Sequence, residues 1–185
     1  MRLILLRHAE TEENRKGIVQ GQKHGKISEL GKSQIKTAVI SLKNEPIDAL
    51  FSSDLQRCID TAEPLRLVFS KVPYNLSSDL REFSYGRLQG LPLGRFIKII
   101  PKFSFILHLK LPGGESYKQV KARLTRFLNQ LYEIYPNGTV LIITHGGPIR
   151  IMRLLLDKNV KPTTPQIINN CSVWRLTMSG PIKNA

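Results

Sequence analysis

Cysteine is nearly missing from this chain: Cys58 and Cys171 are the only two in 185 residues. Two are too few for a disulfide framework, and they lack the paired spacing of a zinc site. Their scarcity points to a reducing, cytoplasmic setting. Long apolar runs are missing as well. The longest are Leu3 to Leu6, Val140 to Ile143 and Leu154 to Leu156, far below the roughly 18 residues that a membrane span needs. No transmembrane helix and no membrane partner are therefore expected. The N-terminal apolar run is also too short for a signal-peptide core and reads as a first strand. Aromatic residues are 7% and spread out, which offers no stacking platform for single-stranded nucleic acid.

Acidic residues are the other shortage. Asp plus Glu number 14 against 28 for Lys plus Arg, a formal net charge of +14. Such an excess suits phosphate-bearing partners, because Lys and Arg gain affinity by releasing counterions. The basic residues are scattered, however, and no block of five like charges occurs. That pattern argues against a dedicated nucleic-acid site and for a basic surface that draws in small anions. His24 and His108 have no second ligand at metal spacing, so no metal and no cofactor are expected.

What is present is ordinary globular material: 41% hydrophobic and 23% charged residues, in a length that suits a single domain over 1–185. Strand and helix patterns alternate, the mark of an α/β fold with a mainly parallel sheet. Leu3 to Leu6 reads as a strand buried on both faces. Ile35, Ala38, Val39 and Leu42 form a helical stripe within Ser28 to Lys43. Ala49 to Phe51 reads as a second strand. Ser53 with Gln56 has capping-box spacing, which predicts a helix start there, and Pro64 should kink or end that helix. Its inward stripe holds Leu55, Cys58, Ile59 and Ala62, making Cys58 a core residue. Val72 to Leu80 suggests a third strand. Leu91 to Pro112, with Pro92, Gly94, Pro101 and Pro112, reads as a short inserted lid. Ser116 with Gln119 repeats the capping box ahead of the longest helix, which carries Val120, Leu124, Phe127, Leu128, Leu131 and Ile134 inward. Thr139 to Thr144 is the cleanest buried strand. Pro148 falls at a helix N1 position before Ile149 to Leu156, and Ser172 to Met178 reads as a final strand.

The chemistry collects at strand ends. Arg7 and His8 end the first strand, Arg57 follows the second, and His145 ends the Thr139 to Thr144 strand. Ligands of open α/β sheets bind beyond the carboxyl ends of the strands, so these residues can meet. Two Arg and two His there, with backbone N–H donors from Gly146 onward, describe an anion site, and phosphate matches the arginine fork. A neutral imidazole near pH 7 is also a competent nucleophile. Glu82 lies among Leu80, Phe83 and Tyr85, an apolar setting of the kind that raises a carboxyl pKa and suits a general acid.

These residues carry a resemblance. Leu6-Arg7-His8-Ala9-Glu10-Thr11 with Asn14 and Gln20-Gly21 resembles the RHGET...N...QG motif of the histidine phosphatase superfamily, phosphoglycerate mutase-like branch. Phe51 to Arg57 with Thr61-Ala62, Leu80-Arg81-Glu82 with Tyr85-Gly86 and Gln89-Gly90, Gly113 to Ser116, and Thr144 to Gly147 with Ile149-Arg150 are similar to its later blocks, in order. The resemblance implies a three-layer α/β/α sandwich and metal-free chemistry. It implies that His8 is phosphorylated, that Arg7, Arg57 and His145 form the phosphate pocket, and that Glu82 donates a proton. Asn14, Gln20, Gly146 and Tyr85 would contact phosphate or substrate. Three positions depart from the pattern: Ala9 replaces the usual Gly, Glu13 a frequent Trp, and His24 with Lys26-Ile27 an Asp followed by Pro-Leu. They change the substrate-facing loop rather than the pocket.

Only about 22 residues separate Gln89-Gly90 from Gly113, whereas mutases of the family spend a much longer insertion there. The short lid favours hydrolysis of small phosphate monoesters, with Arg95, Lys98, Lys102 and Lys110 drawing acidic substrates. The alternative is a cofactor-dependent phosphoglycerate mutase, since Tyr85 to Gly90 resembles the mutase YGALQG. A basic RNA-binding protein on the same scaffold is the third reading. A homodimer stays open as the assembly.

Overall fold

The unbroken apolar runs become the centre of a sheet. The computed structural model describes residues 1–99, 111–161 and 168–183. Its strands are β1 (Arg2–Arg7), β2 (Ala49–Ser53), β3 (Tyr74–Ser77), β4 (Thr139–Thr144) and β5 (Val173–Thr177), ordered β3-β2-β4-β1-β5. All six residues of β4 are buried, as a central strand with helices on both faces requires. Pairings β1–β4, β2–β4 and β2–β3 are parallel. β5 adds to β1 antiparallel at the edge.

Among the described residues six α-helices accompany the sheet: α1 (Glu12–Arg15), α2 (Glu29–Leu42), α3 (Gln56–Val68), α4 (Leu93–Ile99), α5 (Tyr117–Ile134) and α6 (Gly146–Leu156). The stripes of α2 and α3 pack with Ile4, Leu6, Leu141 and Ile143 on one face of the sheet. Those of α5 and α6 pack with Leu3, Leu5, Val140 and Ile142 on the other. This is the three-layer α/β/α arrangement. Each Leu, Ile or Val so buried contributes roughly 1.5–3 kcal/mol.

Local signals fared unevenly. Ser28 caps α2 through Gly31 N–H, and Ser116 with Gln119 forms the full capping box of α5. The Ser53 and Gln56 box does not form: α3 is capped at Leu55, the Gln56 amide turns to Asp60 and the Ser53 hydroxyl faces His145. Pro64 does not end α3, which runs on to Val68. The roughly 3 kcal/mol cost of an interior proline is matched by the complete burial of Leu65 and Ala62 beside it. The third strand is shorter than expected, because Ser78 to Leu80 turn into a 3-10 helix. Pro148 is the third helical residue of α6 rather than the first, still within the turn whose N–H groups lack intrahelical acceptors.

The first part of the lid is helical. Phe96 of α4 is buried and meets Tyr85 edge-to-face at 5.2 Å. Its entrance is stitched to the chain around Gly17 by Val19 N–H to Leu91 O and Leu93 N–H to Gly17 O. Lys102, His108 and Lys110 lie outside the described residues.

Candidate active site

Register alone brings the two histidines together. Arg7 of β1 lies opposite Thr144 of β4, so the next residue of each strand, His8 and His145, emerges on the same edge. His8 N–H donates to Thr144 O at 2.9 Å, and the ring centroids lie 5.2 Å apart at 59°. Both rings are buried.

Their protonation follows from their neighbours. His8 Nδ1 lies 2.7 Å from Ala9 O. A carbonyl can only accept, so Nδ1 carries the hydrogen and Nε2 keeps its lone pair. His145 Nδ1 faces Arg57 Nε at 3.2 Å and Nη2 at 3.0 Å. A guanidinium can only donate, so Nδ1 accepts and Nε2–H points to Ser53 Oγ at 3.0 Å. Burial, reinforced by Arg57 and Arg7, pushes the His8 pKa well below its usual 6.5. Burial does the same to His145, together with Arg57, His8, Arg7 and Arg123. Both rings are therefore neutral near pH 7.

Arg57, the second residue of α3, is 1% exposed. Besides His145 it donates to Gly21 O and Lys23 O, both at 2.7 Å, which fastens the loop after Gln20 to α3. Arg7 donates through Nη1 to Ile168 O. Its Nε is buried without a hydrogen-bond partner and lies beside Gly146. Burial depresses the pKa of both arginines. A buried guanidinium and a half-buried one with an unused, buried N–H make a site in which an anion relieves a standing desolvation cost.

Glu82 supplies the facing carboxylate. Its Oε1 accepts from Phe83 N–H at 2.9 Å and its Oε2 from Gly147 N–H at 3.2 Å. Any side chain at position 147 would collide with it, because a Cβ there would sit 2.2 Å from Glu82 Oε1. The Glu82 carbonyl is held by Gln22 Nε2 and Arg123 Nη2, and Arg123 is paired with Glu115 at 2.9 Å.

The remaining predicted residues surround this centre in different ways. Asn14 Oδ1 accepts from Thr11 N–H and so closes the capping box of α1. Gln20 is buried, donates to Thr11 Oγ1 at 2.8 Å, and leaves its Oε1 unpartnered. Gly146 opens α6 next to Arg7. Tyr85 stacks on Phe83 at 6.0 Å, and burial pushes its hydroxyl pKa up. Cys58 is fully buried with its thiol pushed up to about 12 by burial, which fits a core residue.

Sequence reasoning missed the turn that braces the His8 strand end. Asn170 Nδ2 donates to His8 O at 3.0 Å and to Asn14 Oδ1 at 3.3 Å. Cys171 N–H reaches Arg7 O at 3.1 Å. To do so Cys171 adopts φ +53°, and among the described residues it is the one non-glycine with positive φ, at a cost of roughly 1–2 kcal/mol. Asn-Asn ahead of a strand is a turn signal, but nothing in the sequence says what the turn touches. Thr61 was likewise unassigned: its Oγ1 accepts from Ala9 N–H at 3.0 Å and donates to Arg57 O.

The family of known proteins with this arrangement can now be stated. A model of the histidine phosphatase superfamily, branch 1, matches residues 3–181. The chain belongs to that superfamily. Among its histidine phosphatase relatives is a metal-independent phosphoserine phosphatase of Arabidopsis thaliana, 34% identical over 84% of this chain and 68% of the relative. Another is a 2,3-bisphosphoglycerate-dependent phosphoglycerate mutase of Methylocella silvestris, 31% identical over 88% of this chain and 84% of the relative. In structure the chain resembles the mycobacterial glucosyl-3-phosphoglycerate phosphatase Rv2419c complexed with VO3. That match has a TM-score of 0.81 and 29% identity, covering 95% of this chain and 92% of the other. The chain is thus a histidine-phosphatase-type enzyme.

Proposed function

We propose that this enzyme hydrolyses small phosphate monoesters through a phosphohistidine on His8, without a metal ion. The observation that carries the reading is the His8 tautomer. Its Nε2 lone pair is free, on a neutral ring, in a site that also holds the half-buried Arg7 and the buried Arg57. In the first step His8 Nε2 bonds to phosphorus as the ester P–O bond breaks, and Glu82 gives a proton to the departing oxygen. In the second step water attacks phosphorus, Glu82 takes up its proton, and the P–N bond breaks to release phosphate and restore His8. Arg7 and Arg57 would hold the equatorial oxygens, where positioned cations matter most for phosphoryl transfer, and His145 would orient the Arg57 guanidinium through Nδ1.

The short lid supports hydrolysis over mutase chemistry, and so does the similarity to a phosphoserine phosphatase. Glu13, His24 and Lys26, where the loop departs from the family pattern, would face the rest of the substrate. Phosphoglycerate mutase is the second reading, favoured by the Tyr85 to Gly90 block and the mutase relative.

Single-turnover experiments with a labelled phosphate ester test the reading. Acid-labile, alkali-stable phosphate on the wild-type protein and none on His8→Ala is the expected result. Phosphate on another residue would refute it. Turnover of phosphoglycerate that requires 2,3-bisphosphoglycerate and outpaces phosphate release would decide for the mutase.

A further inference from the structure

α2 and α3 leave a groove between them that, apart from Lys26 at one end, the catalytic reading does not use. It encloses about 870 Å³ and is lined by Lys26, Ile27, Lys32, Ile35, Lys36, Val39, Ile40, Asp60 and Pro64. The volume lies within the range of small-molecule sites. The two helices share a direction, because each returns from the end of one parallel strand to the start of the next. Positions along one helix can therefore be matched to the other.

The lining is graded. Lys32, Lys36 and Ile40 follow one another at four-residue spacing along one lip of α2, with Ile35 and Val39 on the neighbouring row. Asp60 and Pro64 form the opposite wall at the same spacing. One end thus carries Lys26, Lys32, Lys36 and Asp60 around the apolar floor of Ile27 and Ile35, and the other only Val39, Ile40 and Pro64. Ile40 is 67% exposed, at a position where a solvated helix face needs no apolar residue. A single exposed isoleucine is unremarked on most surfaces, but here it extends a continuous apolar wall.

The charge at the polar end is cationic. Asp60 accepts from the Gln56 amide at 2.7 Å, and Lys32 pairs with Glu29 at 2.6 Å. Glu29 is exposed, and such a surface pair is worth little and is easily exchanged for a better anion. From Lys32 to Ile40 the helix rises about 12 Å, the reach of a medium-length alkyl chain.

We propose that this groove binds a single-chain anionic amphiphile, with its acidic head at Lys32 and Lys36 and its chain against Val39, Ile40 and Pro64. Charge complementarity chooses the head, and the apolar wall chooses the tail. An acidic amphipathic peptide would match the charges as well, but the roughly 12 Å from Lys32 to Ile40 is little more than two helical turns, shorter than a stable amphipathic helix needs.

The probe is dodecanoate, below its micelle concentration, titrated into the intact protein by calorimetry and by amide NMR. Saturable one-to-one binding is expected, with shifts confined to residues 26–40 and 56–64. Lys32→Glu combined with Lys36→Glu should weaken it at least tenfold, and Asp60→Asn should tighten it. Hydrolysis of p-nitrophenyl phosphate should be unchanged in these variants, which confirms their folding. Absence of saturation overturns the proposal, and so does equal binding of dodecyltrimethylammonium or indifference to the lysine changes. An acidic amphipathic peptide that fills the groove where dodecanoate does not would also overturn it, in favour of a protein partner. If a variant fails to fold, the shift map of the unaltered protein decides.

Discussion

His8 and His145 face each other 5.2 Å apart with their protons on different ring nitrogens, His8 at Nδ1 against Ala9 O and His145 at Nε2 against Ser53 Oγ. Each tautomer is fixed by a partner that can play only one part, a carbonyl for one ring and a guanidinium for the other. Protonating either ring would add a positive charge beside Arg57 and Arg7, in a site where burial already disfavours charge.

That crowding predicts the dependence on pH. Both histidines have folded pKa values below the unfolded 6.5. Between the two values the unfolded chain binds more protons, so stability is full above pH 6.5 and declines as pH falls below it. The slope is about 1.4 kcal/mol per pH unit for each histidine. Chemical denaturation from pH 8 to pH 5 should show the decline, and His145→Gln should flatten it. For the same reason the acid limb of kcat/KM should not lie near 6.5. A limb near 6.5 that vanishes in His145→Gln would contradict the depressed histidine pKa values.

Asn170 gives a separation of kcat from KM. Its amide holds His8 O and Asn14 Oδ1 together. Asn170→Ala should lower kcat by about 10- to 100-fold, the size of effect that small misplacement produces, and leave KM within about threefold. Equal changes in both, or none, would remove it from the list of positioning residues.

Gly147→Ala tests the packing around Glu82. The added methyl cannot coexist with the carboxylate and the Phe83 ring as they stand. Overpacking of this kind costs about 1–3 kcal/mol, and displacement of Glu82 should slow the release of poor leaving groups more than good ones. Comparing an alkyl phosphate with p-nitrophenyl phosphate reads that difference directly.

Inorganic phosphate should raise the Tm, since binding to the folded state alone adds about 2.7 kcal/mol at 100 times Kd. Arg7→Ala, which removes the buried Nε without a partner, should abolish the rise. Exhaustive EDTA treatment should leave turnover unchanged. Loss of activity on chelation, with recovery on adding a divalent ion, would contradict the metal-free route.

The parts of the fold carried by strong periodicity were legible in the sequence. β4, α2 and α5 stand where their apolar patterns put them, because a buried run and a one-sided stripe leave few alternatives, although Ile134 at the end of the α5 stripe is exposed rather than inward. Ser116 and Gln119 formed their cap while Ser53 and Gln56 did not. The difference lies outside the local motif: the Ser53 hydroxyl has a buried imidazole to satisfy, and that tertiary demand outranks a helix cap. Residues at strand ends could be grouped by topology alone, which is how His8, Arg57, His145 and Glu82 were found. The turn at Asn170 and Cys171 was invisible because its value lies in the carbonyls it reaches, and backbone groups leave no trace in a sequence.

Arg57 grips the backbone of Gly21 and Lys23 rather than their side chains. A carbonyl is common to every residue, so the grip is blind to what the loop carries. Gly25 is confined by Gln20 Oε1, 2.2 Å from where a Cβ would stand, but His24 and Lys26 can be exchanged freely with the arginine left in place. On the proposed reading those two positions would form the substrate-facing mouth, and a library restricted to them should alter which esters are accepted before it alters how phosphate is removed.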